Sequence, residues 1–206
     1  MGDYSPFAMW YNGDRKCWTF AGFILSDQFV DLFDEDDIRF KQFENWSTGS
    51  GQTKKEFWIS HKFRDNEDCR GSMVVMRSDE MLLNAAEACA HQGKDTEAKA
   101  LLWQLQDLGN AKRTEASGDE LIEAILKERR KELYGEGFSL FDMLRTQKGL
   151  ERTGNHMDWG GLITLPAKSW RFIFQLPGAE MKNNKSLVDK IWPAGDQNPF
   201  DGVYEP

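Results

Sequence analysis

The run Glu128-Arg129-Arg130-Lys131-Glu132-Leu133-Tyr134-Gly135-Glu136-Gly137-Phe138 is followed shortly by Phe141-Asp142. It is the densest constellation of charge in the chain. Glu128 and Glu132 share one helical face, Arg129 follows one step on, and Glu136 and Asp142 lie just beyond the glycines. A catalytic reading takes two acids as a pair, with an arginine orienting the substrate. A structural reading makes Arg129 or Arg130 a bidentate tie between helices, clamped by Glu132, Glu136 or Asp142. Apolar side chains interleave at every helical turn, which favours structure. That reading predicts a buried, acid-paired Arg129 or Arg130, and losing the partner would cost roughly 3–5 kcal/mol.

Leu121, Ile122, Ile125, Leu126 and Leu133 give this stretch a helical apolar face, with Asp119 as its expected cap and Tyr134 near its end. Gly135 and Gly137 break it, and Phe138 to Leu144 forms a further turn or two of helix. Upstream, Met81, Leu82, Ala85, Ala86 and Cys89 predict a helix from Ser78 to about Gln92, stopped by Gly93. Ala98, Leu101, Leu102, Leu105 and Leu108 predict the next, from Thr96 to Leu108, stopped by Gly109. The Lys94-Asp95 link is so short that these two must lie antiparallel, and their small residues permit close approach. This is the shape of a tetratricopeptide-type hairpin, although no second copy recurs at a fixed period.

Farther out the pattern thins. A short strand is expected around Cys17 to Leu25, and Ser26 caps a short helix carrying Phe29, Leu32 and Phe33. The acidic run Asp34 to Asp37 ends that helix and reads as a solvated turn, without the alternating ligands of a calcium loop. Residues 47–55 form a polar loop lacking the Gly-Lys-Ser/Thr ending of a phosphate loop. Alternation of Phe57, Ile59, His61 and Phe63 against Trp58, Ser60 and Lys62 predicts a strand with one buried face. Gly149 to Gly161 reads as loop, Trp170 to Leu176 as strand, and the tail from Lys182 as irregular. No clean linker divides the chain, so residues 1–206 are treated as one domain.

Composition narrows the chemistry. Of 206 residues, 34 are Asp or Glu and 26 Lys or Arg, a formal charge of −8, and no basic stripe is visible; nucleic-acid binding is therefore not expected. The longest apolar run, Phe20 to Leu25, falls far short of the roughly 20 residues a spanning helix needs. Cys17, Cys69 and Cys89 are odd in number and lack metal-ligand spacing, which allows one bridge at most and favours free buried thiols. His61, His91 and His156 form no zinc motif, and no nucleophile elbow occurs; no metal, cofactor or catalytic residue is assigned. The eight tryptophans, at 10, 18, 46, 58, 103, 159, 170 and 192, stand out. Most Trp serve a core, but flat indole faces also stack on sugar rings.

With these segments read, the sequence resembles the SusD/RagB family of surface glycan-binding lipoproteins. Members carry patterns such as "LRxAEVLLNxAEA", "ERRxELxxEGxRxxDLxR", "IPxxEIxxN" and a closing "QNPGY". The counterparts here are Met76 to Ala88, then Glu128 to Leu133 with Glu136-Gly137-Phe138 and Phe141 to Arg145. Phe174 to Glu180 with Asn183, and Gln197-Asn198-Pro199-Phe200, complete the series. Upstream, Ser26 to Arg39 is similar to the family's "seLvdaFexxDxR". Departures are Ser78 for an aromatic or small residue, Ser139 for a common basic one and Phe200 for the closing Gly.

The resemblance implies a mainly α, SusD-like fold, with tetratricopeptide-type helical hairpins and a loop-rich part with a few short strands. The chain would be the family's C-terminal portion, without the export signal, lipidated cysteine and most hairpins of its N-terminal half. The implied activity is binding without catalysis: capture of oligosaccharide at the extracellular face of the outer membrane. The implied partner is a SusC-like TonB-dependent porin, and membrane association would come only through an N-terminal lipid anchor absent from this chain. The family's binding surface varies, so the glycan-binding candidates come from loop position alone: Trp10, Tyr11 and Trp46, then Trp18 and Trp159. Glu128, Arg129, Arg130, Glu132, Glu136 and Asp142 are assigned to a structural ion-pair network. Two other readings stay open, a helical protein-interaction scaffold without a ligand site and a glycoside hydrolase using two carboxylates.

Overall fold

The computed structural model describes residues 25–48, 50–51, 54–62, 75–152, 163–169, 172, 179, 183 and 184. The chain divides into two compact units, Met1–Tyr134 with Thr153–Asp158, and Gly135–Arg152 with Trp159–Pro206. The described part is mostly helical, with four short strands.

In the first unit, helix α1 (Asp27–Val30) is capped as expected, the Ser26 side chain accepting from the Phe29 amide at 3.3 Å. A 3-10 turn over Ile38–Gln42 leads into strand β1 (Phe43–Thr48), which pairs antiparallel with β2 (Lys55–Ser60). The expected loop over 47–55 is thus shorter, because both strands run into it. The sequence reading missed β1: in Phe-Glu-Asn-Trp-Ser-Thr apolar and polar residues do not alternate. Three helices follow, α2 (Ser78–His91), α3 (Asp95–Leu108) and α4 (Asp119–Glu132). The link between α2 and α3 turns at Gly93, whose φ of +72° suits glycine. Leu83, Ala86 and Ala90 of α2, Ala98, Leu102 and Leu105 of α3, and Leu121 and Ile125 of α4 are buried where the three helices pack. The predicted hairpin is present. Asp119 is not the cap of α4 but its first residue; Gly118, at φ +57°, holds the cap position.

A second core lies under α1. Phe29, Val30, Phe33 and Phe43 are buried, with Leu25, Leu32, Phe40, Trp58 and Tyr134 packed against them. The rings meet edge-on or tilted, Phe33 on Phe43 at 4.9 Å and Phe29 on Tyr134 at 5.0 Å, the geometry aromatic quadrupoles prefer. Trp58 packs against this core, and just along the chain Ser60 and Lys62 reach Tyr134, so the mixed face of the expected strand docks here. Of the strand expected around Cys17 to Leu25, only Leu25 is described, bridging Trp58.

In the second unit, Gly135 and Gly137 take positive φ, as expected for the break, and α5 (Phe138–Thr146) follows. Strands β3 (Leu150–Arg152) and β4 (Ile163–Leu165) pair antiparallel. This corrects the reading of Gly149 to Gly161 as loop from its first residues: three residues of strand are too few for a pattern. Gly149 is required there, since a Cβ would sit 2.6 Å from the Leu165 carbonyl oxygen. The strand expected over 170–176 lies outside the described residues except at Phe172, which is buried in a 3-10 turn. The tail from Lys182 lies outside them too, except for Asn183 and Asn184.

Candidate functional site

The charged run of α4 forms a buried network whose hub lies outside it, at Arg39. On α4, Glu128, Lys131 and Glu132 face the 3-10 turn, and there Arg39 meets them. Its Nε and Nη2 donate to Asp37 Oδ1 and Oδ2 at 2.8 and 2.7 Å, a fork-to-fork pair. Nη2 also donates to Glu128 Oε1, and Nη1 to Glu132 Oε2 at 2.8 Å. The other oxygen of Glu132 accepts from Arg77 Nη1 at 2.8 Å, so this carboxylate joins two arginines from distant segments. Lys131 Nζ sits 2.8 Å from Asp37 Oδ2 and 3.6 Å from Glu128 Oε2, and Gln106 donates to Glu128 at 3.3 Å.

Burial makes this pairing obligatory. Asp37 is 1% exposed and Glu128 and Lys131 3% each. A charge so desolvated is tolerated only when paired and hydrogen-bonded. Burial alone would raise the Asp37 carboxyl, but hydrogen bonds and charge from Arg39 and Lys131 outweigh it and hold it below the usual carboxylate range. Glu132 follows the same course, burial opposed by Arg39 and Arg77 with a net lowering. Burial works against the Arg39 cation, yet Asp37, Glu128 and Glu132 raise it above an ordinary guanidinium.

The end of α4 is held by the same chemistry. Lys62 Nζ donates to the carbonyls of Glu132 (2.6 Å) and Tyr134 (3.1 Å), and Arg77 Nη2 donates to that of Glu132 (2.9 Å). Cations belong there, where the helix leaves carbonyls unpaired and its dipole is negative. Gly109 has a second duty besides ending α3: a Cβ on it would lie 3.1–3.3 Å from the Arg39 guanidinium.

Of the acids expected in the network, Glu128 meets Arg39 and Lys131, and Glu132 meets Arg39 and Arg77. Arg129 is buried and donates to Asn84 Oδ1 on α2 at 2.8 Å. Arg130 is exposed, its guanidinium 5.9 Å from the Phe29 ring centre. Glu136 and Asp142 fall in the second unit, where Asp142 pairs with Arg145 at 2.8 Å. The acidic run is not uniformly solvated either: Asp34, Glu35 and Asp36 are exposed, but Asp37 is the most buried carboxylate described. The signal for it was the Asp37-Ile38-Arg39 spacing, which puts a carboxylate in reach of both the Arg39 amide and its guanidinium.

Of the aromatic candidates, Trp10, Tyr11, Trp18 and Trp159 lie outside the described residues. Trp46, chosen as a loop residue, instead lies in strand β1, opposite Phe57, so loop position no longer argues for it. Cys89 is a half-buried free thiol; Cys17 and Cys69 lie outside the described residues. Among the described residues no cluster of His, Cys, Asp and Glu could hold a metal, and no helix is long and apolar enough to cross a membrane. One depression, of about 500 Å³, lies between the turn after α1, the connection from α3 to α4, and α4 itself.

Comparison with known proteins fits this architecture. SusD-like protein P38 of Formosa agariphila is 33% identical over 93 residues, covering 40% of this chain and 18% of that protein. The crystal structure of a SusD-like carbohydrate binding protein from Bacteroides vulgatus matches with a TM-score of 0.68 and 28% identity. That match covers 81% of this chain and 41% of the other. A SusD superfamily protein from the same species matches 72% of this chain and 34% of its own, with 26% identity and a TM-score of 0.57. The chain thus spans less than half the length of each of these relatives. The SusD family model matches residues 41–199, most of the sequence, and the chain belongs to the SusD family.

Proposed function

We propose that this chain is part of a non-catalytic carbohydrate receptor: it binds oligosaccharide at the extracellular face of the outer membrane and passes it to a SusC-like TonB-dependent transporter. The observation that carries the reading is the match of 81% of the chain to a SusD-like carbohydrate binding protein. A lipid anchor of the full-length protein would hold it at the membrane. Trp10, Tyr11, Trp46, Trp18 and Trp159 are the residues proposed to stack on sugar rings.

The state of the α4 acids supports binding over hydrolysis. A glycosidase needs one carboxyl kept protonated near neutral pH and a second free to act as base or nucleophile. Here Glu132 is held in its anionic form by two arginines, and Glu128 is locked to Arg39 and Lys131. Neither has an oxygen to spare for a glycosidic bond.

Calorimetric titration of the chain with an oligosaccharide array, run beside a reducing-end assay, tests the proposal. Saturable binding without release of reducing ends is the expected outcome. Release of reducing ends would point to the hydrolase, and absence of binding across the array to a scaffold.

A further inference from the structure

The connection between α3 and α4, residues 109–118, has neither helix nor strand, yet side chains fix it along its length. Asn110 Nδ2 donates to the Asp36 carbonyl at 2.9 Å, and the Lys112 amide to Asp34 Oδ2 at 3.2 Å. The Thr114 amide donates to Gln106 Oε1 at 3.1 Å, its carbonyl accepts from Trp103 Nε1 at 2.8 Å, and the Gly118 amide donates to Asp95 Oδ2 at 2.8 Å. Arg113 lies over the Trp103 ring at 5.1 Å while pairing with Asp107. A loop tethered this way has already lost the conformational freedom that ligand binding would otherwise cost.

This loop walls the 500 Å³ depression. Gln106, Glu128 and Lys131 line it from the interior and satisfy one another, so they make no demand on a ligand. Lys112 and Lys127 also line it, and both are exposed. Among the described residues no carboxylate is within ion-pair distance of either ammonium, in a chain with eight excess negative charges. Asp34, Thr114 and Glu115 complete the polar wall, offering acceptors suited to hydroxyl groups.

We propose that this depression binds an oligosaccharide bearing carboxylates, of the uronic-acid type, with Lys112 and Lys127 taking the acid and Asp34, Thr114 and Glu115 the ring hydroxyls. The inference rests on the carbohydrate-binding function proposed above; it names the sugar class and a site independent of the aromatic candidates.

The test is calorimetric titration of the full chain with a galacturonic acid trimer and, separately, a neutral galactose trimer. The acid trimer binds, binding weakens as salt is raised, and the double variant Lys112→Ala/Lys127→Ala loses about tenfold or more in affinity. The double variant Lys112→Arg/Lys127→Arg keeps the charge and most of the affinity. Both lysines are exposed, so matching thermal melts check that the variants fold. Failure of the acid trimer to bind, or equal affinity in the double alanine variant, overturns the proposal. If neutral sugars bind while that happens, only this site falls; if no saccharide binds, the carbohydrate reading falls with it.

Discussion

The α2–α4 bundle and the segment 25–62 rest on the same helix but are joined to it by opposite chemistries. The bundle is apolar and close-packed: Leu83, Leu102, Leu121 and Ile125 are at most 1% exposed, and Ala86 and Ala98 let the helices approach. The 25–62 segment reaches α4 through Asp37-Arg39, Lys62 and an aromatic cluster that takes in Tyr134. Non-directional burial is enough to place one helix on another. Fixing an irregular turn against a helix requires directional bonds, and a guanidinium with several carboxylates supplies them. The conspicuous charge on α4 thus docks distant segments of the chain onto the helix.

The largest expected effect comes from removing the hub. Arg39→Met leaves Asp37, Glu128 and Glu132 short of a cation in a desolvated place, and should lower stability by about 3–5 kcal/mol in a urea melt. A loss under about 1 kcal/mol would mean the network is hydrated and weak. On the apolar side, Leu102→Ala should cost about 3 kcal/mol by the same measurement, the transfer loss plus a cavity.

Acid should then separate the two regions. Asp37 and Glu132 bind protons less readily folded than unfolded, so the unfolded chain takes up more protons as pH falls. Their stabilisation is full above the unfolded value of about 4 and is lost as pH drops through the lower folded values. Melting temperatures followed downward from pH about 5 should fall steeply for the parent chain and for Leu102→Ala, and less steeply for Arg39→Met. The smallest effect is expected at Arg130, exposed over Phe29: Arg130→Ala should cost under about 1 kcal/mol. A larger loss would restore it to the role the sequence alone suggested.

The contrast also explains what could be read in advance. The hairpin of α2 and α3 was legible because its determinants are local: apolar spacing, small residues and a glycine at the turn. The break at Gly135 and Gly137 was legible for the same reason. Arg39 was not, because its partners Glu128 and Glu132 lie some ninety residues away and any of several arginines could have met them. Nearness along the chain drew attention to Arg129 and Arg130, and Arg129, one step from Glu128 around the helix, reaches Asn84 on α2. Asp37 was hidden by its neighbours, since three exposed acids before it make the run read as solvent-facing. β1 and β3 were missed because one lacks alternation and the other is too short. The depression beside α4 draws on three separate segments, and no local pattern announces it.

Arg39 and Glu132 act as one buried unit, bonded at 2.8 Å. A double-mutant cycle of Arg39→Met and Glu132→Gln, followed by urea denaturation, measures it directly. The predicted coupling is at least about 1 kcal/mol, the double variant losing much less than the two single losses combined. Losses that add to within about 0.5 kcal/mol would contradict it.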